Sequence, residues 1–166
     1  MDQVKYHHGK MLKNSHMSTD SLAYICYIAD NIAAATDRRL KDESGNGFVK
    51  DIPLDSIFNL LNNNDGKMHY PCSFLDVDKI QYPSNSTFRY RESFYKTCVQ
   101  NLKNACKGID YTENYIHSLL EVLESTLSFI PSSTSQTEVA DISLFDHVKM
   151  TAAFGSCILQ YLKKNH

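Results

Sequence analysis

Nowhere in this sequence is there an apolar run of the roughly eighteen residues that a membrane-spanning helix needs, and no charged-then-apolar leader opens it. The expectation is a soluble, untargeted protein with no membrane partner. An excess of one charge is lacking too: the formal net charge is −2 and no tract of like charges occurs. Any contact with nucleic acid must therefore be local rather than driven by bulk positive charge. Cysteine is sparse. Cys26, Cys72, Cys98, Cys106 and Cys157 are odd in number and widely spaced, and the Cys98 to Cys106 interval fits no zinc pattern. Three of them sit in stretches that read as helix interior, so they are expected to be reduced core thiols of a cytoplasmic protein. Repeats and low-complexity tracts are absent. Serine-nucleophile, glycine-rich phosphate-loop and zinc-protease signatures are also missing, which leaves those enzyme classes without sequence support.

What is present is enough for one ordinary globular domain: 166 residues, 42% of them apolar. Helical periodicity dominates, and the fold class it predicts is mainly α, a helical bundle with room for one short hairpin. A first helix is expected over 18–39, "STDSLAYICYIADNIAAATDRR", with Ser18, Thr19 and Asp20 as N-caps and Arg38 and Arg39 near the C-terminal dipole. Its apolar residues, from Leu22 and Ile25 to Ile28, Ile32 and Ala33, cover more than one face, as in a buried central helix. "LKDESGNGFVKD" reads as a loop. "PLDSIFNLL" reads as a short helix with Pro53 in its first turn, and "NNNDGK" as a break. Met68 to Phe88 lacks helical period. Two further helices follow, "RESFYKTCVQNLKNAC" with Gly108 beyond its end and "TENYIHSLLEVLESTLSFI" stopped by Pro131. The first should turn Phe94, Cys98, Val99, Leu102 and Cys106 inward, the second Ile116, Leu119, Leu120, Leu123, Thr126, Leu127 and Ile130. A serine and threonine loop leads to a final helix starting near Ser143.

In that last helix Ser143 and Asp146 have the spacing of a capping box, and the inward stripe runs through Leu144, Val148, Thr151, Ala152, Gly155, Ile158, Leu159 and Leu162. His147 lies within the stripe. It reads either as a core histidine satisfied by neighbours or as a ligand. Ala152, Ala153, Gly155 and Ser156 would let another backbone approach. Asp30 sits in the apolar run "YIADNIAAAT", where an uncompensated carboxylate is expensive, so it must be paired with an arginine, hydrogen-bonded or bound to metal. Asp37 reads as a surface or arginine-paired residue. His7 and His8 in "YHH" point about 100° apart on a helix, so they would not both hold one ion. His16, His69, His117 and His166 show no partner at a useful spacing. A histidine and an aspartate from different helices, with one further histidine, match the ligand set of a divalent ion that activates water against a phosphodiester.

"YICYIADNIAAATDRR", "LSFIPSSTSQTEVADISLFDHVKMTAAF" and the intervening "PLDSIFNLL" closely resemble the N-terminal HD domain of the large subunit of type III-A CRISPR effector (Csm) complexes, over nearly the whole chain. The resemblance implies a permuted HD-domain-like bundle spanning 1–166 and a nuclease acting on single-stranded DNA with a transition metal, Mn or Ni. It further implies antiviral defence, with other Csm subunits and the CRISPR RNA complex as partners. By position it makes Asp30 the lone aspartate and His147 the late histidine of the metal site, with His7 or His8 accessory to catalysis. The family's leading His-Asp doublet has no counterpart, since no "HD" dipeptide occurs in the sequence and "DH" at Asp146 and His147 is the one adjacent pair of those types. Met1 stands just before "QVKYHH", and no "GGDD" cyclase motif follows. The implied protein is thus a partial HD domain, short of ligands and deficient in nuclease activity alone. The alternatives are one half of a split nuclease completed by a separate HD-bearing peptide, and a non-catalytic interaction module that docks through an apolar groove beside its central helix.

Overall fold

A computed structural model of the chain describes residues 5–6, 9–18, 21–37, 49–61, 67–134 and 139–165, with backbone alone at 36 and 37. His7, His8, Thr19, Asp20, Arg38, Arg39, His166 and residues 1–4, 40–48, 62–66 and 135–138 lie outside the described residues, as does the side chain of Asp37. The described part is mainly α, as the periodicity predicts: α1 Gly9–Lys13, α2 Leu22–Asp37, α3 Phe58–Leu61, α4 Glu92–Lys107, α5 Tyr115–Leu127 and α6 Leu144–Asn165. No helix among them is long and apolar enough to cross a membrane. The chain divides into two compact units, Met1–Arg39 with His147–His166, and Leu40–Asp146.

In the first unit, α2 starts three residues later than the cap candidates suggest where these are described. Ser21 Oγ accepts the Ala23 N–H at 3.3 Å, so this serine satisfies a first-turn donor. The helix is not buried all round. Its inner face is built of Ala23, Ala29, Ala33 and Ala34, whereas Leu22, Ile28 and Ile32 are 46%, 47% and 40% exposed. Alanine carries no bulk beyond Cβ, so this narrow face lets neighbours come close while the larger residues on the far side stay outside. Gly9 of α1 lies against the Tyr27 ring, and Gly155 of α6 lies against Ile25 and Ala29. Ala152, Ala153 and Ser156, expected beside a close neighbour, are exposed. Cys157 is exposed too, which corrects its reading as a core thiol.

The core of the second unit gathers Tyr90, Cys98, Leu127, Ile130 and Phe145, with Phe74, Phe94, Leu102, Leu120 and Leu123 packed around them. Phe94 stacks on Phe74 with centroids 4.8 Å apart, and the Tyr90 hydroxyl donates to the Phe129 carbonyl. α4 and α5 pack on one another. Glu92 in the first turn of α4 and Lys107 in its last complement the dipole, and Glu92 pairs with Lys96 at 2.8 Å. Gly108 does follow α4, but with φ −84° it stays in the right-handed region, so no glycine is required there. Val99 and Ile116, placed on inward stripes by periodicity, are 49% and 54% exposed. Each lies at the margin of its stripe, where a small core leaves it uncovered.

Two elements differ from expectation for reasons of hydrogen bonding. "PLDSIFNLL" is helical over Phe58–Leu61 alone, because the residues before it pair with distant backbone instead. The Asp55 N–H donates to Ala140 O at 2.8 Å, Ser56 N–H to Met68 O at 2.9 Å, and Tyr70 N–H to Leu54 O at 2.8 Å. Helix starts only after Ser56, whose Oγ accepts the Phe58 N–H. The expected hairpin within 68–88 resolves into isolated antiparallel bridges, Asp55 with His69 and His69 with Ser84. α5 ends at Leu127, ahead of Pro131. Pro131 instead faces Ser143 in a bridge whose bonds run from Ser132 N–H to Ile142 O and from Leu144 N–H to Ile130 O. A residue without an N–H fits there because its neighbours carry the ladder.

Candidate metal site and its relatives

His147 owes its position to the start of α6. Ser143 Oγ accepts the Asp146 N–H at 3.0 Å and donates to Asp146 Oδ2 at 2.7 Å, which fixes the first turn as its spacing predicts. The Asp146 carboxylate is engaged in that cap and is exposed, so the "DH" dipeptide does not act as a pair. His147, the next residue, turns inward, its side chain 15% exposed. Asp30, on the third turn of α2, has a side chain 27% exposed, and its Oδ1 lies 3.1 Å from His147 Nε2. The imidazole N–H donates and the carboxylate accepts. This answers the question that the apolar run around Asp30 poses: its carboxylate is hydrogen-bonded to a histidine. The negative charge of Asp30 also reaches one turn back, where burial first and Asp30 second hold the Cys26 thiol above its usual range.

The donor chemistry fits a borderline divalent ion. Two ligand atoms each about 2.1 Å from one ion and at a right angle stand roughly 3 Å apart, close to the separation of these two atoms. The number of donors is small, because among the described residues no cluster of three or more His, Cys, Asp or Glu could hold a metal. His7 and His8, expected as accessories, lie outside the described residues. One further buried polar atom belongs to the same helix face: Thr151 Oγ1, one turn beyond His147, has no hydrogen-bond partner among the described residues.

A second carboxylate and imidazole pair escaped the sequence reading. Asp55 Oδ1 and His69 Nδ1 are 2.6 Å apart in the second unit, with side chains 25% and 21% exposed. No helical or strand spacing links positions that far apart in an irregular segment. The one signal available is that His69 follows a loop rich in turn residues, which says nothing about Asp55. A cavity of about 300 Å³ in the same unit is lined by Cys72, Arg89, Arg91, Ser93, Phe94 and Thr97. Arg89 there is drawn toward Asp51 at 3.3 Å.

No protein-family model matches the chain. Individual relatives do. The chain is 40% identical over 172 residues to the CRISPR system single-strand-specific deoxyribonuclease Cas10/Csm1 (subtype III-A) of Mycobacterium tuberculosis, a match covering 98% of this chain and 21% of that protein. To the protein of the same description from Enterococcus italicus it is 42% identical over 170 residues, covering 98% and 22%. Among solved structures it resembles a chain in the crystal structure of a Csm1-Csm4 cassette in complex with cA4. The TM-score is 0.60 at 30% identity, over 82% of this chain and 16% of that one. Over 98% of its residues the chain therefore belongs to the Cas10/Csm1 family of subtype III-A CRISPR systems, and it spans about a fifth of the length of the curated relatives it matches.

Proposed function

We propose that this chain is part of the HD nuclease domain of a type III-A large subunit, that Asp30 and His147 are metal ligands, and that the chain alone cleaves single-stranded DNA weakly or not at all. The observation that carries this reading is the 3.1 Å approach of His147 Nε2 to Asp30 Oδ1 from two different helices. When bound, a divalent ion such as Mn or Ni would supply Lewis acidity and a water activated for attack on a phosphodiester. The chain's own residues do the rest. The Ser143 cap fixes the turn that carries His147, and α2 sets the Asp30 carboxylate 3.1 Å from the imidazole Nε2, so that both donors are placed to face one ion. Two described donors and no His-Asp dipeptide leave the coordination sphere open, which is why activity alone is expected to be low. His7 or His8 is the accessory histidine in this reading. Other Csm subunits, the CRISPR RNA complex and single-stranded DNA are the partners, in the cytoplasm, where its five free thiols would stay reduced.

Purified protein titrated with Mn²⁺ should show weak binding that His147→Ala or Asp30→Asn lowers at least tenfold, with little cleavage of single-stranded DNA. Robust metal-dependent cutting by the chain alone would overturn the deficiency, and unchanged Mn²⁺ binding in both variants would overturn the ligand assignment. Exposure of Leu22, Ile28 and Ile32 on α2 favours a second reading, a module that docks on other effector subunits without chemistry. Light scattering coupled to size exclusion tests it: a clean monomer that binds no apolar dye counts against it.

A further inference from the structure

α6 carries His147, Thr151 and Gly155 at four-residue spacing, so the three lie above one another on one face, about 6 Å per step. α2 runs along that face. His147 Nε2 meets Asp30 Oδ1 at 3.1 Å, and two turns on, a Cβ at Gly155 would stand 3.7 Å from the Ala29 Cβ and 3.9 Å from the Ile25 Cγ2. Thr151 lies between these two fixed points. Its Oγ1 is buried and without a hydrogen-bond partner among the described residues. Threonines inside helices commonly donate to the carbonyl four residues back. Thr97 does so toward Ser93 O at 3.0 Å and Thr126 toward Val122 O at 2.8 Å. Thr151 does not, so its hydroxyl is not spent on its own helix. A buried hydroxyl is costly to leave unpaired and is ordinarily matched by a protein group or an ordered water. The Asp30 carboxylate stands on His147, one turn before Thr151 on the same face of α6, and it retains acceptor capacity beyond the bond to His147.

We propose that Thr151 is a positioning residue of the Asp30 and His147 site, its hydroxyl holding a solvent molecule that the Asp30 carboxylate also binds. This rests on the reading of Asp30 and His147 as metal ligands and extends it by one residue. The water fixes the second carboxylate oxygen, as outer-sphere hydrogen bonds do at metal sites, and so sets the direction in which Asp30 offers its lone pairs.

The full chain is compared with Thr151→Val, Thr151→Ser and His147→Ala by thermal unfolding in chelator and by calorimetric titration with Mn²⁺. Valine keeps the shape and removes the hydroxyl. The expected result is a T151V midpoint equal to or below wild type, Mn²⁺ affinity about tenfold weaker, and T151S like wild type in both. A T151V midpoint about 2–4 °C above wild type would show a hydroxyl with nothing bound to it and overturn the proposal, as would unchanged Mn²⁺ affinity in T151V. If Mn²⁺ binding is absent, or unaffected in H147A, the metal reading fails, and the midpoints in chelator still decide whether Thr151 holds water. Should T151V not fold, Thr151→Ala against T151S gives the same comparison.

Discussion

Asp30 and His147 are 117 positions apart in the chain and 3.1 Å apart in space. At the residue scale, what each contributes depends on a neighbour that keeps it there. Ser143 is buried, and its hydroxyl caps the helix that carries His147. Ser143→Ala should cost about 1 kcal/mol by urea unfolding, the usual worth of an N-cap, and weaken Mn²⁺ binding less than His147→Ala does. His69 does comparable work for the irregular part of the second unit, since its ring meets Asp55 while its backbone bonds to Ser84. His69→Ala should destabilise by about 1–2 kcal/mol, because the Asp55 carboxylate it leaves is a quarter exposed and partly recovers its hydration. Loss of more than that would mean the carboxylate stays dry. Of the two pairs, sequence reasoning reached one. Asp30 is conspicuous because a carboxylate interrupts an apolar helical run, whereas Asp55 and His69 sit in polar, irregular sequence where neither is out of place.

At the scale of elements, α4 and α6 lie within a residue or two of where caps and periodicity put them, and α5 is three residues shorter at each end than its stretch suggests, because the bonds that define a helix join residues four apart and leave its ends to other partners. α3 shrank to Phe58–Leu61 because Asp55 and Ser56 bond to Ala140 and Met68, partners no local pattern discloses. The approach of α2 and α6 gives a further test. A methyl at Gly155 would make ordinary contact with Ala29 and Ile25, so Gly155→Ala should be neutral or stabilising by about 0.5–1 kcal/mol through helix propensity. At Gly9 the added Cβ would lie 3.0 Å from the Tyr27 hydroxyl oxygen and 3.1 Å from Cε2, so the ring must give way. Gly9→Ala should show no such gain in a thermal scan, and a stabilised G9A would mean that the Tyr27 ring yields without cost.

For the molecule as a whole, the buried phenols and thiols set its response to alkali. Burial raises Tyr90 far above the ordinary phenol range, and raises Tyr95, Cys72 and Cys98 as well. A raised acidic group keeps its proton in the folded state at a pH where the unfolded chain has released it. Stability is therefore full below the unfolded pKa and falls as pH rises above about 9. Denaturation midpoints should decline from about pH 9 upward, and Tyr90→Phe should flatten that decline while lowering stability at neutral pH by about 1–3 kcal/mol through loss of the bond to Phe129 O. An unaltered alkaline slope in Y90F would remove Tyr90 as its source. The sequence by itself determined the mainly helical class, the Ser143 cap and the inward aspect of His147, since all three follow from spacing within a turn or two. Only the tertiary structure decided that Asp30 answers His147, that α2 turns its alanines inward and its isoleucines out, and that Asp55 joins His69. Those outcomes depend on which surfaces meet across distant segments, and local hydrogen bonding and side-chain periodicity carry no information about that meeting.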